Sequence, residues 1–372
     1  MPDISVNYPR FKIKKSLRLI ELFAGYGSQA MALRNIGADF ERHYVCEFDS
    51  YAIKSYNAVH GTSFETSDIR NLHWGDLKID EKEKYDYLMF YSFPCTDISQ
   101  AGGKKGMEKG SDTRSGLLWE VWRLLKELAF HNKLPQVLIM ENVPQVNGVK
   151  NRDSFNFWKD FLNLLGYQNY FKILDSQNFG VPQHRKRAYM VSILGHYSFT
   201  FPEQLGVKAT IDDILEKNPD SKYFVSANLN SLLLENSKKK GIALQPGLVE
   251  YVKDDINGKF GKSKDAYVKN ISVSSTCVST YYKGIDGVGK SAVIVAPTCT
   301  SDYHLYQNHC AGVFESNLKI RKLTSREFGR LMGVSDEDIT KMQLQNSDTQ
   351  LYKQFGNSIV VSVLESIFRE LY

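Results

Sequence analysis

LRLIELFAGYGSQAMALRNIG, residues 17–37, reads as a strand running directly into a glycine-marked turn and then a helix. LRLIELF at 17–23 is a short apolar run, and SQAMALRNIG repeats apolar positions at three- and four-residue spacing, the period of a helix with one buried face. Gly25 and Gly27 fall at the junction, where a backbone turns tightly and must pass close to a partner. Outward from this stretch the pattern recurs. HYVCEF (43–48), YDYLMFYS (85–92), QVLIMEN (136–142) and RAYMVSIL (187–194) are strand candidates, and SYAIKSYNAV, SGLLWEVWRLLKELAF and FNFWKDFLNLLG carry the helical period between them. Strands alternating with crossover helices predict a doubly wound α/β domain on a parallel sheet from Leu17 to about Gly195.

After Gly195 the sequence turns Lys-, Asn-, Ser- and Thr-rich with broken apolar runs, such as NLNSLLLENSKKKG and SVSSTCVSTYYKGIDGVGKSAVIV, which predicts a second, smaller, irregular domain over 197–318. Helical spacing returns in LTSREFGRLMG and NSIVVSVLESIFREL. The predicted organisation is an α/β domain over 1–196, the small domain inserted at 197–318, and residues 319–372 completing the first domain with a C-terminal helix.

The chain has 372 residues, 42% hydrophobic and 24% charged, enough for a sizeable core and too apolar for a disordered protein. No run approaches the roughly 18 apolar residues of a membrane span, and the N-terminal MPDISVNYPRFKIKKS lacks a secretion signal's apolar stretch; a cytoplasmic protein with no membrane partner is expected. Cys46, Cys95, Cys277, Cys299 and Cys310 are an odd number without a C-x-x-C pair, which argues against a disulfide framework and a structural zinc site. The net charge of +5 leans toward a polyanionic partner without deciding for one.

Glu47 ends the second strand candidate about 20 residues after the glycine turn, where a carboxylate can accept hydrogen bonds from ribose hydroxyls. Ala30 stands where a dinucleotide site has its third glycine and no Walker lysine follows, so a nucleoside without a pyrophosphate, such as S-adenosylmethionine, fits better than NAD. Cys95, in SFPCTDISQAGG, lies just beyond a strand's carboxyl end, beside the ligand crevice of an open α/β sheet. Such a cysteine is commonly inert packing; Pro94 before it and the glycine- and lysine-rich GGKKGMEKGSDTRSG after it favour a nucleophile under a loop that covers a polyanion. Glu141, ending its strand in ENV, would reach the same crevice as an acid protonating the electrophile during sulfur attack, although a strand-end glutamate often faces water alone. In QHRKR (183–187), alternation puts Arg185 and Arg187 on one face, either as a solvated strand start or as an anchor for a phosphate or a base carbonyl.

The order FAGYGSQ, EFD, FPC, ENV, QHRKR, RKLTSREFGRLMGV, YKQFGNSIVVSVLESI resembles the cytosine-5 DNA methyltransferase family of bacterial and phage type, and covers residues 17–195 and 320–372. SFPCTDISQAGGKKGMEKGSDTRSGLLWE is similar to the CpG-methylating mollicute members. The resemblance implies a Rossmann-like S-adenosylmethionine-dependent domain with an inserted target-recognition domain, acting as a monomer on double-stranded DNA in a restriction-modification or phage/host protection setting, releasing S-adenosylhomocysteine and using no metal. It also implies residue roles. Phe23, Gly25 and Gly27 would line the cofactor pocket, Glu47 hold the ribose, Phe48 stack on adenine, Asp68 and Ile69 meet the adenine edge, and Asn357 and Ser358 close the pocket. Cys95 would be the nucleophile, Glu141 the acid on the cytosine ring and Arg187 the anchor on the base carbonyl, supported by Arg185. Thr96 departs from the family's usual Gln after Pro-Cys, which puts a DNA contact in doubt and leaves the nucleophile intact; His184 falls at a position that tolerates variety.

The implied chemistry accounts for this grouping, because cytosine carbon 5 becomes nucleophilic only after a thiolate adds to carbon 6 of a base flipped out of the stack. Three other readings compete: an RNA cytosine methyltransferase such as the tRNA-acting branch, a catalytically silent DNA-binding relative, and a dinucleotide oxidoreductase. The long insert, the intact Cys95, Glu141 and Arg187, and the missing third glycine argue against them in turn. No arginine occurs between Arg187 and Arg321, so lysines, amides, hydroxyls or backbone groups must read bases in the small domain, with SVSSTCVST and APTCTSDYHLYQNH as candidate readers.

Overall fold

A computed structural model describes residues 8–94, 114–205, 209–245, 247–252, 255–256, 259–260, 266–270, 274, 291–295 and 318–372. The main sheet has six strands: β1 (Ser16–Leu22), β2 (Phe40–Cys46), β3 (Tyr85–Tyr91), β4 (Val137–Asn142), β5 (Tyr167–Asp175) and β6 (Lys186–Leu194), in the order β2-β1-β3-β4-β6-β5. Alternate residues of the central strands feed opposite cores. Leu17, Leu19, Leu88, Phe90, Ile139 and Val191 face one side, and Ile20, Leu22, Met89, Met140 and Met190 the other. Both faces are therefore covered: helix α1 (Ser28–Asn35) lies on the first, helices α3 (Leu118–Phe130) and α4 (Arg152–Leu164) on the second. Helix α2 (Ser50–His60) follows β2, capped by the Asp49 carboxylate on Tyr51 N at 2.8 Å.

The sheet departs from the sequence reading in two ways. The sheet is mixed, because β6 runs antiparallel to both neighbours, β4 and β5, while β1, β2, β3 and β4 are parallel. Strand β5 was also absent from the strand candidates: YQNYFKILD sits at the sheet edge with most of its side chains part-exposed or exposed, so it lacks the apolar run of its partners.

Beyond residue 197 the described segments are helix α5 (Ala227–Lys239) and strands β7 (Gly247–Val252), β8 (Asp255–Ile256), β9 (Lys259–Phe260), β10 (Tyr267–Asn270), β11 (Ser291–Val295) and β12 (Lys319–Lys322). Four of these form an antiparallel sheet ordered β10-β7-β11-β12, so the first residues after 318 pair with β11 before the chain continues into the C-terminal helices. Helix α5 is regular where an irregular stretch was expected. Its buried Leu233 packs with Ala266, Val268, Leu318 and Ile320, and Ser226 caps its first turn.

The chain then forms α6 (Ser325–Leu331), α7 (Asp336–Gln345), α8 (Asp348–Asn357) and α9 (Val361–Leu371). A capping box starts α6: Thr324 Oγ1 accepts from Glu327 N at 3.1 Å and Glu327 Oε2 accepts from Thr324 N at 2.8 Å. Buried Arg321 grips the same Glu327 with two nitrogens, at 2.7 and 2.8 Å, and so fastens the small sheet to the returning helices. Helix α9 packs with α1 in the first core. It begins at Val361, later than the NSIVV pattern implied, because Ser358 is extended (φ −96°, ψ −176°) and separates it from α8.

Candidate active site

Phe23, Glu47 and Glu141 lie at the carboxyl ends of β1, β2 and β4. At the end of β1, Phe23 adopts φ 61°, unusual for a residue with a side chain, and Gly25 and Gly27 follow at φ 60° and 82°. The two glycines differ. A Cβ on Gly25 would meet nothing within 4 Å, whereas one on Gly27 would collide with His60 and come within 2.6 Å of Tyr56 Cε2. Gly27 lets the turn before α1 pass against Tyr56 and His60 of α2; Gly25 leaves open space above the turn.

Glu47 closes that space from the end of β2. Its Oε2 accepts from Gly25 N and its Oε1 from Asp49 N, each at 2.8 Å, which orients the carboxylate and leaves lone pairs for further donors. Burial pushes its pKa up, against these backbone bonds. Phe48 beside it is 73% exposed, an aromatic face with no packing role of its own. The Asp68 loop is drawn in by Ser67 N donating to Glu47 O at 2.8 Å; Asp68 caps a short 3-10 turn on Arg70 N and pairs with the Arg70 guanidinium, which holds its carboxyl below the usual range, and Ile69 is buried. From the C-terminal side, Ser358 Oγ lies 2.8 Å from Ser28 Oγ, with exposed Asn357 next to it at the end of α8. The open cradle over Gly25, an oriented carboxylate with spare acceptor capacity and an exposed aromatic fit a nucleoside-bearing cofactor. Among the described residues no group of three metal-ligating side chains occurs.

A second cluster lies at β4. Glu141 is 7% exposed, and Arg187 Nε approaches its Oε1 at 3.2 Å. The reversed β6 makes this possible: its register sets Glu141 opposite Tyr189 and Asn142 opposite Ala188, so the start of β6 reaches the carboxyl end of β4. A parallel β6 would have carried Arg187 to the other edge. Desolvation raises the Glu141 pKa, opposed by the charges of Arg187 and Arg185, so burial favours a carboxyl that holds its proton. Arg185 is also buried, and its Nη2 donates to the carbonyls of Gly356 at 3.0 Å and Ser358 at 2.5 Å.

Cys95 and Thr96 lie outside the described residues, as do nearly all of SVSSTCVST and all of APTCTSDYHLYQNH. The chain leading to Cys95 is tied to the same cluster. Asn142 Nδ2 donates to Phe93 O at 2.9 Å, and Ser92 Oγ to Phe23 O at 3.4 Å. Sequence reasoning gave no role to Asn142, although it stands inside ENV, nor to Ser28 or to buried Asp175, which accepts from Arg185 N at 3.0 Å and lies 3.1 Å from His184 Nδ1. Ser274, the first SVSS residue after Val273, exchanges backbone bonds with the same segment: its N donates to Pro182 O and its carbonyl accepts from His184 N, each at 2.8 Å.

Residues 17–372 match the family model of the C-5 cytosine-specific DNA methylases. The type II methyltransferase M2.ScrFI of Lactococcus lactis subsp. cremoris is 31% identical, over 96% of this chain and 99% of its own length. The orphan methyltransferase M.SssI of Spiroplasma monobiae is 29% identical over 96% and 97%. Among solved structures, the Entamoeba histolytica methyltransferase EhMeth superposes with a TM-score of 0.68 at 19% identity, covering 96% of this chain and 98% of that one, which shows the shared fold.

Proposed function

From the premise that this chain belongs to the C-5 cytosine-specific DNA methylase family, we propose that its two clusters divide one reaction, cytosine activation at Glu141 and Arg187 and cofactor binding at the glycine turn. The family is S-adenosylmethionine-dependent, and the chain is a DNA (cytosine-5) methyltransferase. Phe23, Gly25, Gly27, Glu47, Phe48, Asp68, Ile69, Asn357 and Ser358 hold the cofactor, with Glu47 taking the ribose hydroxyls and Phe48 covering the adenine. When bound, S-adenosylmethionine supplies an electrophilic methyl group.

The remaining chemistry belongs to the protein and the flipped cytosine. The Cys95 thiolate adds to carbon 6, and the protonated Glu141 donates to ring nitrogen 3, relieving the negative charge that attack creates. Arg187 binds the base carbonyl and keeps Glu141 in place. Carbon 5 then takes the methyl group, which leaves S-adenosylhomocysteine; the carbon 5 proton passes to solvent, the ring expels the Cys95 thiolate, and the nitrogen 3 proton returns to Glu141. The observation that carries this reading is the buried Glu141 next to Arg187, at the strand edge to which Asn142 ties the chain leading to Cys95. The small domain, residues 197–318 with β12 added to its sheet, is the target-recognition element. The protein acts, in this reading, as a monomer on duplex DNA in the cytoplasm; the names of the type II relatives support a restriction-modification setting.

The test is Cys95→Ser with 5-fluorocytosine duplex DNA. The wild type forms a denaturant-stable adduct in the presence of S-adenosylmethionine; the variant forms none and transfers no methyl group, yet binds DNA and S-adenosylhomocysteine. Methyl transfer at the wild-type rate by the serine variant overturns the covalent route.

A further inference from the structure

Two hydrogen bonds of the Arg185 side chain run to the wall of the pocket assigned to the cofactor. Asp175 at the end of β5 accepts from Arg185 N at 3.0 Å, fixing the backbone from which the side chain extends. The guanidinium then reaches the carbonyls of Gly356 and Ser358, at 3.0 and 2.5 Å. Gly356 lies in the last turn of α8, whose final carbonyls have no helical partners, and Ser358 lies in the extended break before α9. The Ser358 hydroxyl continues the line to the Ser28 hydroxyl, at 2.8 Å, in the first turn of α1 directly after the glycine turn. Ser28 and Arg185 are buried.

We propose that Arg185 is a positioning residue for the cofactor: through the Gly356 and Ser358 carbonyls it fixes the C-terminal wall of the pocket, and the Ser358–Ser28 hydroxyl pair transmits that placement to the glycine turn. This assigns Arg185 a role different from support of the base anchor. It rests on the reading that the glycine turn, Glu47 and Ser358 surround S-adenosylmethionine. The arrangement follows from what the segment needs. Two carbonyls at a helix break have no strand or helix to satisfy them, and both hydrogens of the one Nη2, held in the rigid guanidinium plane, are directed at them; a lysine nitrogen on its shorter, freely rotating stem is not held in that geometry.

The experiment is a calorimetric titration of S-adenosylhomocysteine, without DNA, into the wild type, Ser28→Ala, Ser358→Ala, the double variant, Arg185→Lys and Arg185→Lys/Ser28→Ala, each with a thermal melt of the free protein. Loss of one hydrogen bond corresponds to about fivefold weaker binding. Ser28→Ala and Ser358→Ala should each show that loss, the double variant should be no weaker than either, and Arg185→Lys should be about tenfold weaker or more, with nothing added by Ser28→Ala. A double variant weakened by the product of the single losses overturns the strut, as does a folded Arg185→Lys with wild-type affinity. If Arg185→Lys does not fold, the serine cycle still decides. Glu47→Ala separates the two readings: if it binds S-adenosylhomocysteine as the wild type does, the pocket assignment has failed; if it loses binding while the serine and Arg185 variants keep theirs, only the strut has.

Discussion

Adding one methyl group to each glycine of the cofactor turn separates what builds the fold from what admits the ligand. Gly25 and Gly27 both have left-handed backbones, so alanine at either costs about 1–2 kcal/mol for its conformation. At Gly25 the cost ends there, because the new Cβ meets nothing within 4 Å. At Gly27 it meets Tyr56 Cε2 at 2.6 Å and Cδ2 at 2.9 Å as well as His60. Neither ring is free to retreat: the Tyr56 hydroxyl donates to Glu21 at 2.5 Å, His60 Nε2 lies 3.2 Å from Tyr26 O, and the two ring centroids are 4.5 Å apart. Overpacking of such a contact adds about 1–3 kcal/mol. Gly27→Ala should therefore be less stable than Gly25→Ala by that amount in urea unfolding. Binding should rank them otherwise, since the Gly25 methyl enters the space assigned to the cofactor: Gly25→Ala should lose about tenfold or more in S-adenosylhomocysteine affinity while keeping most of its stability. Equal stabilities for the two variants, or wild-type affinity in Gly25→Ala, would refute the division of roles between the glycines.

Two further perturbations address the buried carboxyls. Glu141→Gln keeps the shape and a hydrogen-bond donor but cannot deliver a proton, so single-turnover methylation with saturating DNA and cofactor should fall on the order of 100-fold with little change in the thermal melt; because the Glu141 pKa is raised, the wild-type rate should decline as rising pH removes that proton, and a full-rate variant removes Glu141 as the acid. Glu21, fully buried on β1, is pushed from 4.5 up to about 7 by burial, so its contribution to stability is complete below pH 4.5 and is lost as pH rises through about 7, on the order of 3 kcal/mol in all. Glu21→Gln should gain stability relative to the wild type across that window, measured by urea unfolding between pH 5 and 8. His60, held down at about 4 by burial, acts oppositely, losing stability as pH falls from 6.5, and is common to both proteins; a difference between variant and wild type that does not change with pH refutes the Glu21 assignment.

The elements with a strong period were legible in the sequence, and those positioned by partners were not. LRLIELF, YDYLMFYS and QVLIMEN are buried on both faces and read as apolar runs, and SGLLWEVWRLLKELAF shows the stripe that α3 buries through Leu118, Val121, Leu124, Leu125 and Leu128. Strand β5 and helices α7 and α8 gave weaker patterns; β5 lies at an edge, and α7 is acidic at its start, capped by Ser335 on Asp338 N at 3.2 Å. In the candidate site, residues next to glycines and at strand ends could be proposed from the sequence because turn chemistry and strand ends mark them. Ser28 and Asn142 act by hydrogen bonds to residues 330 and 49 positions away, and spacing has no means of expressing a contact of that kind; Asp175 bonds only ten residues on, but across the turn between β5 and β6, a strand pair the sequence reading lacked.

Strand direction shows the same limit, with a larger consequence for chemistry. The apolar run RAYMVSIL is the same whether β6 runs up or down the sheet, because alternation reports which face a side chain takes and says nothing of which end of the neighbouring strand it meets. Yet the assignment of Arg187 to the base carbonyl requires its strand to start where β4 ends. In a wholly parallel sheet the arginines of QHRKR and the Glu141 carboxyl would be separated by the length of a strand, roughly 20 Å, and the grouping argued from the chemistry would have been impossible. The functional grouping therefore already implied the reversal: two residues needed on one base, one at the end of a strand and one at the start of another, demand antiparallel neighbours. With that constraint applied, the edge strand β5 also follows, since the reversed β6 enters from the opposite edge and the chain leaving α4 must first cross the sheet, which it does through Tyr167–Asp175 with Leu174 set against Arg187.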